Sequence, residues 1–405
     1  MPYYIGRIVD DVRPLIIRSP ETFREKQDID AQISHRALDV SLKECRVQVE
    51  DRQTGKSRWE PYDQLLFATG AIPIRLPVPG CEARGVFELT TLPSGIAVRA
   101  AVDQEKPRKA VIVGGGYIGL EMAENLVARG LEVAVVEKTP QVMPTLDPDM
   151  AALIAEGMAQ GGVKLYLEES LQGFDVQQGK VQGVVTDRRT LLADLVILGL
   201  GVRPNSTLAA RAGVPVGPTG GIRVNDRMQT KESGVWAAGN CAETLHLVSR
   251  RPFFIALGTV ANKQGRVAGM NIGGGSARFP GVVGTAVLKV FDWEVARTGL
   301  QTREIESLGL SAAEARIESH TRAGYYPGTG RIVVKLFAEK GSGRLLGGQI
   351  VGRAGSAKRI DMIATALHAG LRVEEMINLD LGYSPPFSPA WDPVLIALRQ
   401  LLPLL

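Results

Sequence analysis

Between about residues 110 and 200 the chain alternates short apolar runs with longer stretches of helical periodicity. Ala110 to Val113 and Leu131 to Val136 are nearly continuous apolar runs, as strands buried on both faces require. Between them Tyr117 to Arg129 has the spacing of a helix, and Gly130 stands where a helix stop belongs. Asp147 to Gln160 reads as a second helix, with Asp147 as N-cap, Pro148 in the first turn and Gly161-Gly162 beyond the end. Leu195 to Leu198 is a further buried strand. The pattern predicts a βαβ domain over 109–228.

The flanking texture is different. Ile29 to Ser34, Cys45 to Glu50 and Ser57 to Trp59 read as short strands around turns such as Gln53-Thr54-Gly55. Gln64 to Thr69 is an apolar run ending at Gly70, and Pro73, Pro77 and Pro79 mark a crossover. Beyond the βαβ domain, Val235 to Ala238 reads as a strand and Ala256 to Ile272 as a helix. After residue 279 the alternation turns antiparallel, with strands at Thr285 to Phe291, Arg331 to Phe337 and Leu345 to Val351, and helices at Ala357 to Ala369 and Asp392 to Leu402.

Composition narrows the class. A chain of 405 residues accommodates two or three domains, and 45% hydrophobic against 22% charged residues excludes wholesale disorder. There is no apolar run long enough for a membrane span, and the first residues, with Arg7, Asp10, Asp11, Arg13 and Arg18, do not read as a signal peptide. A net charge of +4 spread along the chain excludes a nucleic-acid-binding block. Cys45, Cys81 and Cys241 stand alone, which argues against a disulfide framework or a metal site and fits the cytoplasm. The 46 glycines, with no low-complexity tract to hold them, point to turns and ligand loops.

One loop carries most of the chemistry. Val111-Ile-Val-Gly114-Gly115-Gly116-Tyr117-Ile-Gly119-Leu-Glu121 is a G-x-G-x-x-G between strand and helix. Gly114 permits the tight turn, Gly116 admits a pyrophosphate, and Gly119 allows close helix–strand packing. The helix N-terminus then meets the phosphates. Glu137 ends the next strand, where a carboxylate takes the adenosine ribose hydroxyls. That favours NADH, with NADPH still possible because Lys138 adjoins it. A glycine-rich surface turn with an unrelated Glu is the bland alternative.

Two further strand-ending turns bracket this domain, Thr69-Gly70 and Gly239-Asn240. With them the chain resembles the FAD-dependent pyridine nucleotide-disulfide oxidoreductases, in which the FAD domain is interrupted by the NAD(P)H domain. Ala261-Asn-Lys-Gln-Gly-Arg266 looks like that family's helix behind the flavin. Tyr325-Tyr326-Pro327-Gly328 and the segment Tyr383 to Pro393, with Phe387, look like the dimerisation domain of the branch that holds coenzyme A disulfide reductases, NADH oxidases and NADH peroxidases. The resemblance implies an α/β fold with two Rossmann-like domains and an α+β dimerisation domain: FAD domain 1–108 and 229–278, NAD(P)H domain 109–228, dimerisation domain 279–405.

The same resemblance implies a function. Hydride would pass from NADH through FAD to a small-molecule acceptor: a disulfide such as coenzyme A disulfide, a peroxide, or oxygen. Glu121 would lie near the nicotinamide carboxamide, Tyr117 would gate the ring, and Gly201 would border its path. Tyr383 and Phe387 would close the flavin pocket of a second subunit in a homodimer, and Tyr325 or Tyr326 would face the sulfur chemistry. Two departures bear on this. The family opens with a strand and its own G-x-G-x-x-G, followed by a redox cysteine shortly before a Pro-Tyr-Tyr-Ile-Gly string. This sequence opens at Met1-Pro-Tyr3-Tyr4-Ile-Gly6, so the FAD-pyrophosphate motif and redox cysteine are expected to be missing, and FAD to be held weakly. Asn240 also stands where the family usually has Asp. A cysteine-free flavin reductase for a small redox protein and an inactive NAD-binding dimer are the alternative readings. The remaining cysteines are expected to be inert, His368 to pack or lie in an interface, Trp236 to be core, and Arg250-Arg251 and Lys358-Arg359 to be solvated or dimer contacts.

Overall fold

Strands apolar on both faces need cover on both faces, and the central sheet shows how each side obtains it. In the computed structural model, which describes residues 1–405, five parallel strands lie in the order Val86–Glu88, Leu195–Leu198, Lys109–Val113, Glu132–Glu137, Lys164–Leu167. Ala110, Ile112, Val133, Val135 and Ile197 face one way, into a core with Leu120, Leu126 and Ile154 of the two helices. Val111, Val113, Val136 and Val196 face the other, against Phe174, Val181 and Val184 of an antiparallel meander.

The helices are Tyr117–Ala128 and Pro148–Gln160, within a residue or so of expectation. The sheet starts earlier than position 109, however. Val86–Glu88 is one of its edge strands, and the helix Leu92–Glu105 sends Val98 and Val102 into its core. That helix opens on a capping box between Thr91 and Ser94. Asp147 does not cap its helix either. Its buried carboxylate instead accepts from Thr302 Oγ1 (2.6 Å) and from Lys335 Nζ (3.0 Å), both in the C-terminal domain. A buried charge needs such partners.

Before the sheet, Ile29 to Ser34 is loop rather than strand. The strand is His35–Ser41, preceded by the helix Pro20–Gln27, whose N-cap Ser19 accepts from Thr22 N. His35–Ser41, Arg46–Asp51 and Ser57–Pro61 form an antiparallel sheet. Cys45 sits in the turn ahead of the second strand, not within it, at φ 49°. Leu65–Phe67 pairs in parallel with Val235–Ala237, so segments on both sides of the inserted domain share one layer. Ala71–Pro73 and Val202–Pro204, the outgoing and returning crossovers, pair antiparallel.

The C-terminal sheet is antiparallel, in the order Ala286–Val290, Trp293–Gly299, Leu345–Gly352, Arg331–Glu339, Ala312–His320. The second and the last of these strands escape the sequence reading, although the buried positions of the last alternate as period two demands. Helices Ile360–Ala369 and Pro393–Leu401 cover one face. Residues Ala357–Arg359, expected in the first helix, form a 3₁₀ turn. No helix is long and apolar enough to cross a membrane, and no cluster of His, Cys, Asp or Glu has a metal-holding arrangement.

Candidate active site

The glycine loop divides its labour by geometry. Gly114 lies at φ 112°, and a Cβ there would stand 2.4 Å from Gly199 O. A Cβ on Gly119 would stand 2.0 Å from Gly114 O. Both are therefore packing positions. A Cβ on Gly116 would meet nothing within 4 Å, which leaves the helix N-terminus open to an anion.

Glu137 supports this loop from below. Its carboxylate is 7% exposed; Oε2 accepts from Gly115 N (2.7 Å), and Oε1 from Thr139 N (2.9 Å) and Thr139 Oγ1 (3.0 Å). A carboxylate has about four acceptor sites, so one on Oε2 remains unfilled. The loop-holding role was not visible in the sequence. Met143 N donates to Gly115 O (2.8 Å), so Glu137 and the segment after it each hold the glycine loop once. Lys138 is exposed.

From the loop a cleft of about 560 Å³ opens between domains. Gly116, Tyr117, Glu121 and Gly201 line it on one side, and the apolar segment Phe253 to Leu257 on the other. Glu121 is half-buried; burial raises its carboxyl above the ordinary range, opposed by a hydrogen bond from Tyr3 OH (3.1 Å). Burial likewise raises the Tyr117 phenol. Arg297 also lines the cleft, buried and donating to Thr145 O, Gly299 O and Glu304 Oε2. Neither Tyr3 nor Arg297 was singled out in the sequence, because their partners are remote along the chain.

The other expected residues stand elsewhere. Thr69 and Gly70 are tied to Asn205: its Nδ2 donates to Thr69 O (3.1 Å) and its backbone N–H to Gly70 O (3.0 Å). Gly239 turns at φ 83° and donates to Gln264 Oε1 (2.8 Å). Asn240 Oδ1 is shut off from solvent and has no hydrogen-bond donor. An orphaned acceptor in a small-residue turn fits a hydroxyl-bearing chain such as the ribityl of FAD.

On the C-terminal domain Tyr325, Tyr383 and Phe387 are 78%, 53% and 77% exposed, Tyr326 is half-buried, and none lines the cleft. The neighbouring Tyr383 phenol pushes the ionisation of Tyr325 up. Arg359 is not a solvated residue. It donates to Asp392 Oδ2 (2.9 Å), Phe387 O (2.9 Å) and Thr321 O (2.8 Å), and so fixes the Tyr383–Pro393 segment. His368 is exposed on its helix. Trp236 is buried and donates to Gln64 Oε1. Cys241 is buried with Sγ against Phe67 O and Ala238 O, and no cysteine lines the cleft.

Comparison with known proteins adds the following. The profile of the family "Pyridine nucleotide-disulphide oxidoreductase" matches residues 6–265, and that of its dimerisation domain matches residues 285–394. An NAD(P)H sulfur oxidoreductase (CoA-dependent) of Pyrococcus abyssi is 38% identical over 404 residues, covering 99% of this chain and 89% of that protein. The structure of an NAD-dependent persulfide reductase from A. fulgidus superposes with a TM-score of 0.96 at 38% identity, over 99% of this chain and 75% of that one. Reduced CoADR-RHD of Bacillus anthracis superposes with a TM-score of 0.95 at 35% identity, over 99% and 72% respectively.

Proposed function

The chain belongs to the pyridine nucleotide-disulphide oxidoreductase family and is an NAD(P)H oxidoreductase; from that premise we propose that it carries electrons from NADH through FAD to sulfur bound to coenzyme A, as a homodimer. The observation that carries this reading is the cleft. It runs from an open, anion-binding helix N-terminus to an apolar chamber with one carboxylate in its wall, and it lies where two dinucleotide-binding layers meet.

Each residue has a stated task. The N–H groups after Gly116 hold the NADH pyrophosphate. Glu137 offers its free acceptor site to the ribose, and its negative charge disfavours the extra phosphate of NADPH. Glu121 accepts from the nicotinamide carboxamide, and Tyr117 with Phe253 to Leu257 keeps water from the ring. Thr69, Gly70, Gly239 and Asn240 hold FAD, with Asn240 Oδ1 accepting from the ribityl chain. The chemistry bound FAD supplies is to take a hydride and return an electron pair to sulfur. Tyr383 and Phe387 would close the flavin pocket of the second subunit, and Tyr325 or Tyr326 would face its acceptor.

The acceptor is narrowed by the relatives. The Pyrococcus and A. fulgidus proteins are named for sulfur and persulfide reduction, which favours a coenzyme A persulfide over the disulfide, with oxygen and peroxide behind both. The balance is NADH plus a proton plus R–S–SH giving NAD⁺, R–SH and hydrogen sulfide; the S–S bond breaks and takes both electrons. The test is anaerobic NADH consumption with coenzyme A persulfide, coenzyme A disulfide or no acceptor, beside an aerobic control. Sulfide and coenzyme A thiol released in step with NADH support the proposal. Turnover with oxygen alone contradicts it.

A further inference from the structure

Glu121 is the only carboxylate lining the cleft, and what holds it is a residue from the far end of the chain. We infer that Tyr3 is a positioning residue for the nicotinamide end of the site: its phenol, 3.1 Å from Glu121 Oε1, fixes that carboxylate in the cleft wall to receive the carboxamide. The inference rests on the reading of Glu121 given under Proposed function.

The geometry leaves Tyr3 little freedom. The helical turn Pro2–Ile5 packs on the helices Leu92–Glu105 and Tyr117–Ala128, with Ile5 fully buried. Arg99 stacks on the Tyr4 ring at 4.4 Å and donates to Tyr4 O (2.8 Å). Arg129 donates to Ile5 O (2.8 Å). Two guanidinium groups therefore pin the turn that presents the phenol. A tyrosine here donates a hydrogen bond without adding a positive charge, so it supports the carboxylate without neutralising it.

The charges around the pair set the direction of its titration. Burial pushes the Tyr3 phenol up to about 12, with the Glu121 charge and hydrogen bond adding to it, so it stays a donor at any working pH. Burial raises the Glu121 carboxyl and Glu124 adds to the rise, while the Tyr3 hydrogen bond opposes it. Glu124 is itself paired with Lys289 Nζ at 2.6 Å. Removing the phenol removes a hydrogen bond that favours the charged carboxylate, so Glu121 is protonated at higher pH. NADH then loses its charge-assisted acceptor earlier as pH falls.

The experiment is direct NADH binding, followed by fluorescence from about pH 5 to about pH 9, a range spanning a raised carboxyl. It compares the unmutated protein with Tyr3→Phe, Glu121→Gln and the double variant. Glu121→Asp draws the carboxylate away from the phenol without touching the Pro2–Ile5 turn, and serves if Tyr3→Phe does not fold. Tyr3→Phe or Glu121→Asp should move the acid limb of NADH affinity up by about one pH unit, the size expected for one hydrogen bond to a charged group. Glu121→Gln should flatten that limb, and Tyr3→Phe should add nothing to it. An unmoved limb in Tyr3→Phe, beside a flattened one in Glu121→Gln, overturns the role of Tyr3. An unchanged profile in Glu121→Gln overturns the reading of Glu121 itself.

Discussion

Glu137 holds the glycine loop with one oxygen and its own following segment with the other, and one acceptor site is left over. Its removal therefore has two effects. Glu137→Ala should weaken NADH binding by about 1.5–3 kcal/mol through the lost bonds to a charged group. It should also free the Gly115 N–H to wander. Glu137→Gln keeps the shape but not the charge, and should narrow the preference for NADH over NADPH. Titration of each variant with both cofactors measures this; NADPH binding as tight as NADH in the unmutated protein contradicts the assignment. At this scale the sequence was most informative where the chemistry is local. Gly114, Gly116 and Gly119 do their work within a few positions of one another, so their roles could be read directly. Tyr3, Arg297 and Arg359 act on groups remote in sequence, and nothing in their own neighbourhoods marks them.

Among the elements, the loop from Glu137 to Asp147 matters most, because it ties the dinucleotide layer to the C-terminal sheet. At its near end Met143 N–H bonds Gly115 O; at its far end Asp147 is held by Thr302, Lys335 and Gln349. Lys335 is 6% exposed and also meets Asp149 (3.2 Å) and Glu314 (3.3 Å). Burial disfavours both charges, yet their mutual bonds win, so Asp147 lies below its ordinary 3.8 and Lys335 above its ordinary 10.5. A depressed carboxyl contributes stability above its unfolded value and loses it as pH falls through the folded one. A raised ammonium contributes below its unfolded value and loses it as pH rises through the folded one. The latch is thus at full strength from about pH 4 to about pH 10, and is lost beyond that window as pH falls through the lowered Asp147 value or rises through the raised Lys335 value. Lys335→Ala leaves the buried Asp147 carboxylate without its cation and should cost about 3–5 kcal/mol in denaturant unfolding near neutral pH. A loss below about 1 kcal/mol, the range of a surface pair, contradicts a buried latch.

The same element scale shows where periodicity stops being enough. Lys109–Val113, Glu132–Glu137 and Leu195–Leu198 are apolar on both faces and could be read on that ground. Leu92–Glu105 could not, because Pro93 and Gly95 interrupt its pattern. The role of Asp147 is also lost to local reading. Asp followed by Pro is a strong helix-start signal, and only the third dimension shows its carboxylate committed to another domain.

For the whole molecule, the exposed aromatics give the assembly its direction. Tyr325, Tyr383, Phe387 and Trp391 are large side chains left in solvent on a region that matches a dimerisation domain. Arg359 and the N-cap Asp392 fix the segment that bears three of them. On the proposed function, a second copy of the chain would cover that surface and bring these rings to the neighbour's cleft. Central to the proposed function, the cleft sets a nicotinamide against a flavin. That claim is tested most directly by anaerobic titration of the FAD-loaded protein with NADH, followed at the flavin absorption band. The account predicts bleaching of the bound flavin with one NADH per flavin, and loss of most of that reactivity in Glu121→Gln. NADH that binds while the flavin stays oxidised would contradict it.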